Sequence, residues 1–227
     1  DPFGTEVLDE VMGGPGMYPP VSPATSSDWS VLQFSTAGGT FLIGVNGVDT
    51  GFIYDGTTYY PYVTGGAFRL GFDAEVTPFV AGEVVTGGTS GATATVWAVD
   101  GTDLIITGIT GTFVDNEALT GSIAGAATAN GVAVLAAPEL TGIASSSLSY
   151  VWAYKQRVYF IEKNSLNAWY LPVDQVGGAA TVLPLGGVFN LGGSLQWGHV
   201  WSLNSGGDGG LSEQNVFVTT EGEVAAY

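Results

Sequence analysis

The sequence contains no cysteine, which excludes disulfides, thiolate metal sites and cysteine nucleophiles. Basic residues are nearly as scarce. Arg69, Lys155, Arg157 and Lys163 are the four cations in 227 residues, against 21 acids, for a formal net charge of −17. Nucleic-acid binding relies on Lys and Arg to neutralise phosphate, so sequence-specific DNA or RNA recognition is not expected. A strongly acidic surface repels phosphate, which suits plain solubility and equally suits a passage along which DNA slides. The single histidine, His199, lies in Gln196-Trp-Gly-His199-Val-Trp201. No Gly-x-Ser-x-Gly elbow accompanies it, so it reads as a structural histidine rather than a triad base. No run of about 18 apolar residues is present, so no membrane-spanning helix is expected. No basic segment precedes an apolar one either, and the opening Asp1-Pro2 suits a processed chain or the ordered part of a longer one.

Sustained 3.6-residue periodicity is also missing. What the sequence has instead is 36 Gly, abundant Val and Thr, and many aromatics, the composition of short strands joined by tight turns. The expected fold class is all-β and hairpin-rich. Among 21 acids, some pair will fall at a glycosidase-like separation by accident; Glu162, Asp174, Glu221 and Glu223 sit at turns or strand ends, where solvation explains them. Oxygen donors in Asn204–Asp208, at Asp100/Asp103 and at Asp115/Glu117 lack the spacing of a calcium loop, and turn chemistry accounts for them. No catalytic residue, metal or cofactor is assigned, and enzyme activity is not expected.

Residues 1–30, with Pro2, Pro15, Pro19, Pro20 and Pro23, read as an extended Pro/Gly-rich arm, either a leader or a segment that docks on a neighbouring subunit. An internal repeat follows. Phe79, Glu83, Thr86, Gly87 and Gly91 recur as Phe113, Glu117, Thr120, Gly121 and Gly125. The shared offset of 34 residues (79 to 113, and so on) marks residues 74–138 as an inserted β-module of two similar halves, each too small to bury its own core. Between them, Ala94–Val99, Asp100-Gly101 and Leu104–Thr107 spell a hairpin.

The host domain, 31–73 with 139–227, carries three looser hairpin units. These are Thr40–Val45 with Gly51–Gly56, Arg157–Ile161 with Asn167–Pro172, and Asn215–Thr219 with Glu223–Tyr227. Repeated antiparallel hairpins of this kind are how propeller blades appear in sequence, and three are too few to close a ring. One stretch places Lys155, Arg157 and Tyr159 at alternate positions, a cationic-aromatic stripe on one strand face. With Lys163 nearby, these four residues form a candidate interface for acidic patches of another subunit; the alternative is a solvated face whose long side chains cover aromatic surface.

The segments Val45-Asn-Gly-Val-Asp-Thr-Gly-Phe-Ile-Tyr-Asp-Gly-Thr-Thr58 and Lys155-Gln-Arg-Val-Tyr-Phe-Ile-Glu-Lys-Asn-Ser-Leu-Asn-Ala-Trp-Tyr-Leu-Pro-Val173 resemble a family of tailed-bacteriophage virion structural proteins. Gly177–Ala180, Leu185–Phe189, Gly192–Leu195 and Val216–Tyr227 continue the pattern. The resemblance implies a tail-tube or nozzle-like protein with propeller-type β-domains, located in the viral tail. It would assemble as a ring with copies of itself and with other tail or connector proteins, and DNA would pass through an acidic lumen. The 74–138 module is not general to that family. A different class is also open: a carbohydrate-binding or adhesin β-module using Trp97, Trp169 or Tyr59/Tyr60 as sugar platforms.

Overall fold

The computed structural model describes residues 24–204 and 211–227. Residues 1–23 of the arm and Asp208 of the Asn204–Asp208 loop therefore lie outside the described residues. Twenty strands and no α-helix are found among the described residues, as the composition predicts. They belong to two compact units, each built from two segments of the chain. A sheet unit comprises Asp28–Gly51 and Thr141–Tyr227; a barrel unit comprises Phe52–Leu140 together with the described residues 24–27.

In chain order, the sheet unit begins with β1 (Ser30–Thr36) and β2 (Gly39–Val45). The barrel unit holds β3 (Phe52–Tyr54), β4 (Tyr59–Pro61), β5 (Ala67–Thr77), β6 (Val84–Gly87), β7 (Thr93–Asp100) and β8 (Asp103–Thr110), then β9 (Ala118–Gly121), β10 (Ala126–Ala129) and β11 (Val134–Ala137). After β12 (Leu140–Thr141) come β13 (Leu148–Tyr154), β14 (Arg157–Glu162), β15 (Asn167–Tyr170) and β16 (Gly178–Ala179). The last strands are β17 (Thr181–Pro184), β18 (Leu195–Asn204), β19 (Leu211–Thr219) and β20 (Val224–Ala226).

The barrel closes because β5 is long. Its first half pairs with β8 on one edge and β11 on the other, and its second half continues along that second edge to pair with β10. The ring then runs β5-β8-β7-β6-β9-β10 and back to β5, a closure that leaves none of the six with an open edge along its whole length. Inward positions are filled by Val85, Val96, Leu104, Ile106, Phe113 and Leu119, all fully or almost fully buried. The Ala-Thr alternation of β7 turns Ala94 inward and leaves Thr95 in solvent, as a narrow barrel requires.

The two halves of the repeat are locked together by their glutamates. Glu83 and Glu117 are only 1% and 2% exposed, in positions where an unpaired carboxylate would be very costly. Each is instead saturated by main-chain donors. Glu83 accepts from the Val80 N–H of its own half at 2.6 Å, and from Ile123, Ala124 and Gly125 of the other half at 3.1, 3.2 and 3.3 Å. Glu117 accepts from Val114 at 2.7 Å and, across the barrel, from the Thr89 and Ser90 N–H groups at 3.0 and 2.9 Å. Adding 34 to Val80, Thr89 and Ser90 gives Val114, Ile123 and Ala124, so the two caps are one arrangement used twice. β6 and β9 pair with Thr86 opposite Thr120, and Gly88 N–H to Ala118 O is mirrored by Ser122 N–H to Val84 O, both 2.8 Å. A local two-fold axis therefore passes between the threonines. Gly87 and Gly121 are required here by close approach. A Cβ on Gly87 would stand 2.5 Å from both Glu117 oxygens, and one on Gly121 would stand 2.1 Å from Glu83 Oε2.

Arg69 on β5 ties the β3–β4 hairpin to the barrel. Its guanidinium donates to Tyr60 Oη at 2.9 Å, to Thr58 Oγ1, to Asp100 at 2.8 Å and to Asp103 at 2.7 Å. Desolvation works against the charge, but the Tyr60, Asp103 and Asp100 partners outweigh it and hold the group protonated. Replacing Arg69 with Met is expected to cost about 1–2 kcal/mol, read from the urea midpoint, because it leaves two aspartates facing each other at a partly exposed site. An unchanged midpoint would show that the network contributes nothing.

In the sheet unit, β13-β14-β15-β17 form a four-stranded antiparallel sheet and β18-β19-β20 a three-stranded one. They bury a shared core that includes Trp152, Ile161, Leu185, Leu195 and Phe217. Trp152 is its centre: 2% exposed, edge-to-face with Phe217 at 5.7 Å, with its indole N–H donating to Asn215 Oδ1 at 2.9 Å. Gly198 admits it, since a Cβ there would come within 2.6 Å of the ring.

Candidate functional site

Hairpin sheets expose two features in the sheet unit that chemistry could use. The first is the end of the β13–β14 hairpin. The sequence reading treats 151–160 as one strand with Lys155, Arg157 and Tyr159 on a common face. The strand instead breaks into a two-residue turn at Lys155-Gln156, with φ of +46° and +57°, so that Tyr154 pairs directly with Arg157. Lys155 therefore belongs to the turn, while Arg157 and Tyr159 do share a strand face. Turns of this hand usually carry Asn or Gly, which is why the sequence does not betray it.

An aromatic group supports these cations. Tyr159 stacks on Trp152 at 5.4 Å and also contacts Tyr154 at 6.0 Å and Tyr170 at 5.6 Å. Lys155 Nζ stands 4.9 Å from the Tyr154 ring centroid, and the Arg157 guanidinium lies 5.3 Å from that of Tyr170 while donating to Leu171 O at 3.1 Å. Tyr154 raises the Lys155 pKa, so the ammonium stays charged. Lys163 is elsewhere. It is exposed in the turn between β14 and β15, at the opposite end of the strand, with its stem against Gly47. Three of the four candidate interface residues thus meet, and the fourth does not.

The second feature was not singled out from sequence. Residues alternate between faces along β18, and a bulge between Leu195 and Trp197 sets the phase. Trp197 (38% exposed), His199 and Trp201 (50%) consequently share the outer face, with Trp197 and His199 rings 5.6 Å apart. Beside them on β19 and β20, Val216, Val218 and Val224 complete an apolar surface; Val224 is 66% exposed. No charged side chain occupies these positions.

Most of the remaining candidates are absorbed by local structure. Asp100 and Asp103 are both ion-paired to Arg69. Glu162 accepts from the Asn167 amide at 2.9 Å and the Trp169 indole at 3.1 Å, and Glu223 accepts from the Asn190 and Leu191 N–H groups at 3.0 and 2.8 Å. Asp115 accepts from Gly131 N–H at 2.7 Å. Of the proposed sugar platforms, Tyr59 and Tyr60 are buried, Trp97 packs against the barrel unit's core, and Trp169 is half-buried. No helix among the described residues is long and apolar enough to cross a membrane. No protein-family model, curated protein or solved structure matches the chain.

Proposed function

We propose that this chain is a non-enzymatic structural component of a tailed-bacteriophage particle, in the tail or at the head–tail junction, assembling in a ring around the DNA path. The observation that carries the reading is the outer face of β18–β20. It is a surface of two tryptophans, His199 and three valines, with no Asp, Glu, Lys or Arg among these positions, in a chain of net charge −17, a combination that marks an interaction surface rather than a solvated one. Two further points support it. The sequence segments at 45–58 and 155–173 resemble a virion family, and a four-stranded antiparallel sheet, β13-β14-β15-β17, is the size of a blade of the kind the resemblance implies. Acidic residues facing the lumen would keep phosphates from adhering.

The test is mass spectrometry and cryo-electron microscopy of purified particles. The reading expects this chain at a fixed ring stoichiometry with acidic surface towards the axis. Finding it only as a cellular monomer that turns over a substrate would overturn it.

A second reading, a glycan-binding module, is favoured by one observation. Trp197 and Trp201 are exposed on one face, about 14 Å apart along the strand. Loss of glycan-array binding in Trp201→Ala would support it, whereas silence of the unaltered protein across the array would remove it.

A further inference from the structure

Asn-Gly pairs occur at Asn46-Gly47 and at Asn130-Gly131. In such a pair the glycine nitrogen can attack the asparagine side-chain carbonyl carbon, because the glycine has no Cβ to shield it. Whether it does depends on how each amide is held. Asn46 is 4% exposed. Its Oδ1 accepts from the Val48 and Asp49 N–H groups at 3.0 and 2.8 Å, and its amide donates to Asp49 Oδ2 at 2.7 Å. These contacts turn the carbonyl towards residues 48 and 49 and hold it off the Gly47 nitrogen.

Asn130 is held the other way round. Its side chain is exposed and has no hydrogen-bond partner among the described residues, while the main chain on either side is fixed. Asn130 N–H donates to Gly71 O at 2.8 Å, and Gly131 N–H to Asp115 Oδ1 at 2.7 Å. Gly131 has φ of +97°, and the space where a Cβ would stand is empty to 4 Å. The nucleophile thus stands against a carboxylate, and its electrophile is free to swing over it. The geometry points to Asn130 as a self-modifying site with Asp115 as its general base. Asp115 takes the Gly131 N–H proton as the nitrogen bonds to Asn130 Cγ. It returns that proton to the departing side-chain nitrogen, which leaves as ammonia. Water then opens the succinimide at either carbonyl, giving aspartate or isoaspartate. The site does not depend on the proposed assembly. It lies where β5 changes partner from β11 to β10. Isoaspartate adds a main-chain atom and a charge there, beside Asp115, so conversion loosens the closure of the barrel.

Incubating the full folded chain at mildly alkaline pH and mapping its peptides by mass spectrometry tests this, with isoaspartyl methyltransferase labelling to tell isoaspartate from aspartate. Asn130 is expected to convert at least about tenfold faster than Asn46, which must first open. In urea, where neither amide is held, the two rates should converge. Asp115→Asn keeps an acceptor for Gly131 N–H but removes the base, and should slow conversion at Asn130 by at least about tenfold. A carboxylate that merely clamps the loop gives the opposite, so an unchanged or faster rate overturns the role of Asp115. Asn130 left intact in the folded protein, over a period in which the unfolded chain converts, overturns the site itself. Converted molecules, separated by ion exchange, should unfold at lower urea than unconverted ones, and equal midpoints overturn the link to closure.

Discussion

Replacing Glu83 or Glu117 with alanine is expected to destabilise the barrel unit by about 2–3 kcal/mol, since each change strands at least three part-buried N–H donors. Because the two caps are related by the 34-residue offset, the two substitutions should cost nearly the same, within about 0.5 kcal/mol. Chemical denaturation followed by a barrel-unit probe such as Trp97 fluorescence would measure this, and a cost below about 1 kcal/mol at either site would show that water replaces the carboxylate without penalty. The pH dependence follows from the same contacts. Burial alone would raise both pKa values, but the main-chain donors outweigh it and hold them below the ordinary 4.5. A depressed folded-state pKa gives stability that is fully present above about 4.5 and lost as pH falls through the folded value. Protonation of the other acids relieves the −17 charge and acts in the opposite direction. The informative quantity is therefore the difference between the unaltered protein and Glu83→Gln/Glu117→Gln, which should shrink as pH drops below about 4.5.

Trp152→Ala should cost about 3–5 kcal/mol in the sheet unit, through the cavity left under Phe217 and Tyr159 and the orphaned Asn215 amide oxygen. Gly198→Ala attacks the same contact from the other side. Its methyl group would sit 2.6 Å from an indole that Asn215 already pins, so overpacking of about 1–3 kcal/mol is expected. The two changes touch, so their effects should not add. In the background of Trp152→Phe, Gly198→Ala should cost less than it does alone, and thermal melts of the four proteins in the cycle give the coupling. Strict additivity would mean that the Cβ does not meet the ring.

Much of this fold can be read in residues whose signals are local. Asp100-Gly101 does announce the β7–β8 hairpin, although the turn itself falls one residue later, at Gly101-Thr102. Glu221-Gly222 likewise announces the β19–β20 connection. The recurrence of Phe79 and Glu83 as Phe113 and Glu117 reveals a duplicated module. The use of those glutamates is not legible, because beyond one donor three residues away in its own half, the donors each one caps lie in the other half, 40–42 residues from Glu83 and 27–28 from Glu117. Closure is hidden for a similar reason, since it depends on β5 finding β10 across the length of the module. Near the candidate interface, Lys155-Gln156 lacks the residues that normally mark a left-handed turn, so the alternation there reads as one strand although a hairpin stands in its place. The exposure of Trp197 and Trp201 was illegible because both faces of β18 carry apolar side chains, and a bulge rather than the alternation itself decides which of them points outward.

The reciprocal caps also bear on ancestry. Two identical peptides, each with one Phe-x-x-x-Glu-x-x-x-Gly stretch, would build the same enclosure as a symmetric pair, every carboxylate reaching into the other molecule's loop. Joining them in tandem fixes their ratio and removes the need to meet by diffusion, yet leaves neither half able to satisfy its own acid. The module is thus a homodimer written on one strand of message, and deleting either half would remove a partner rather than a domain.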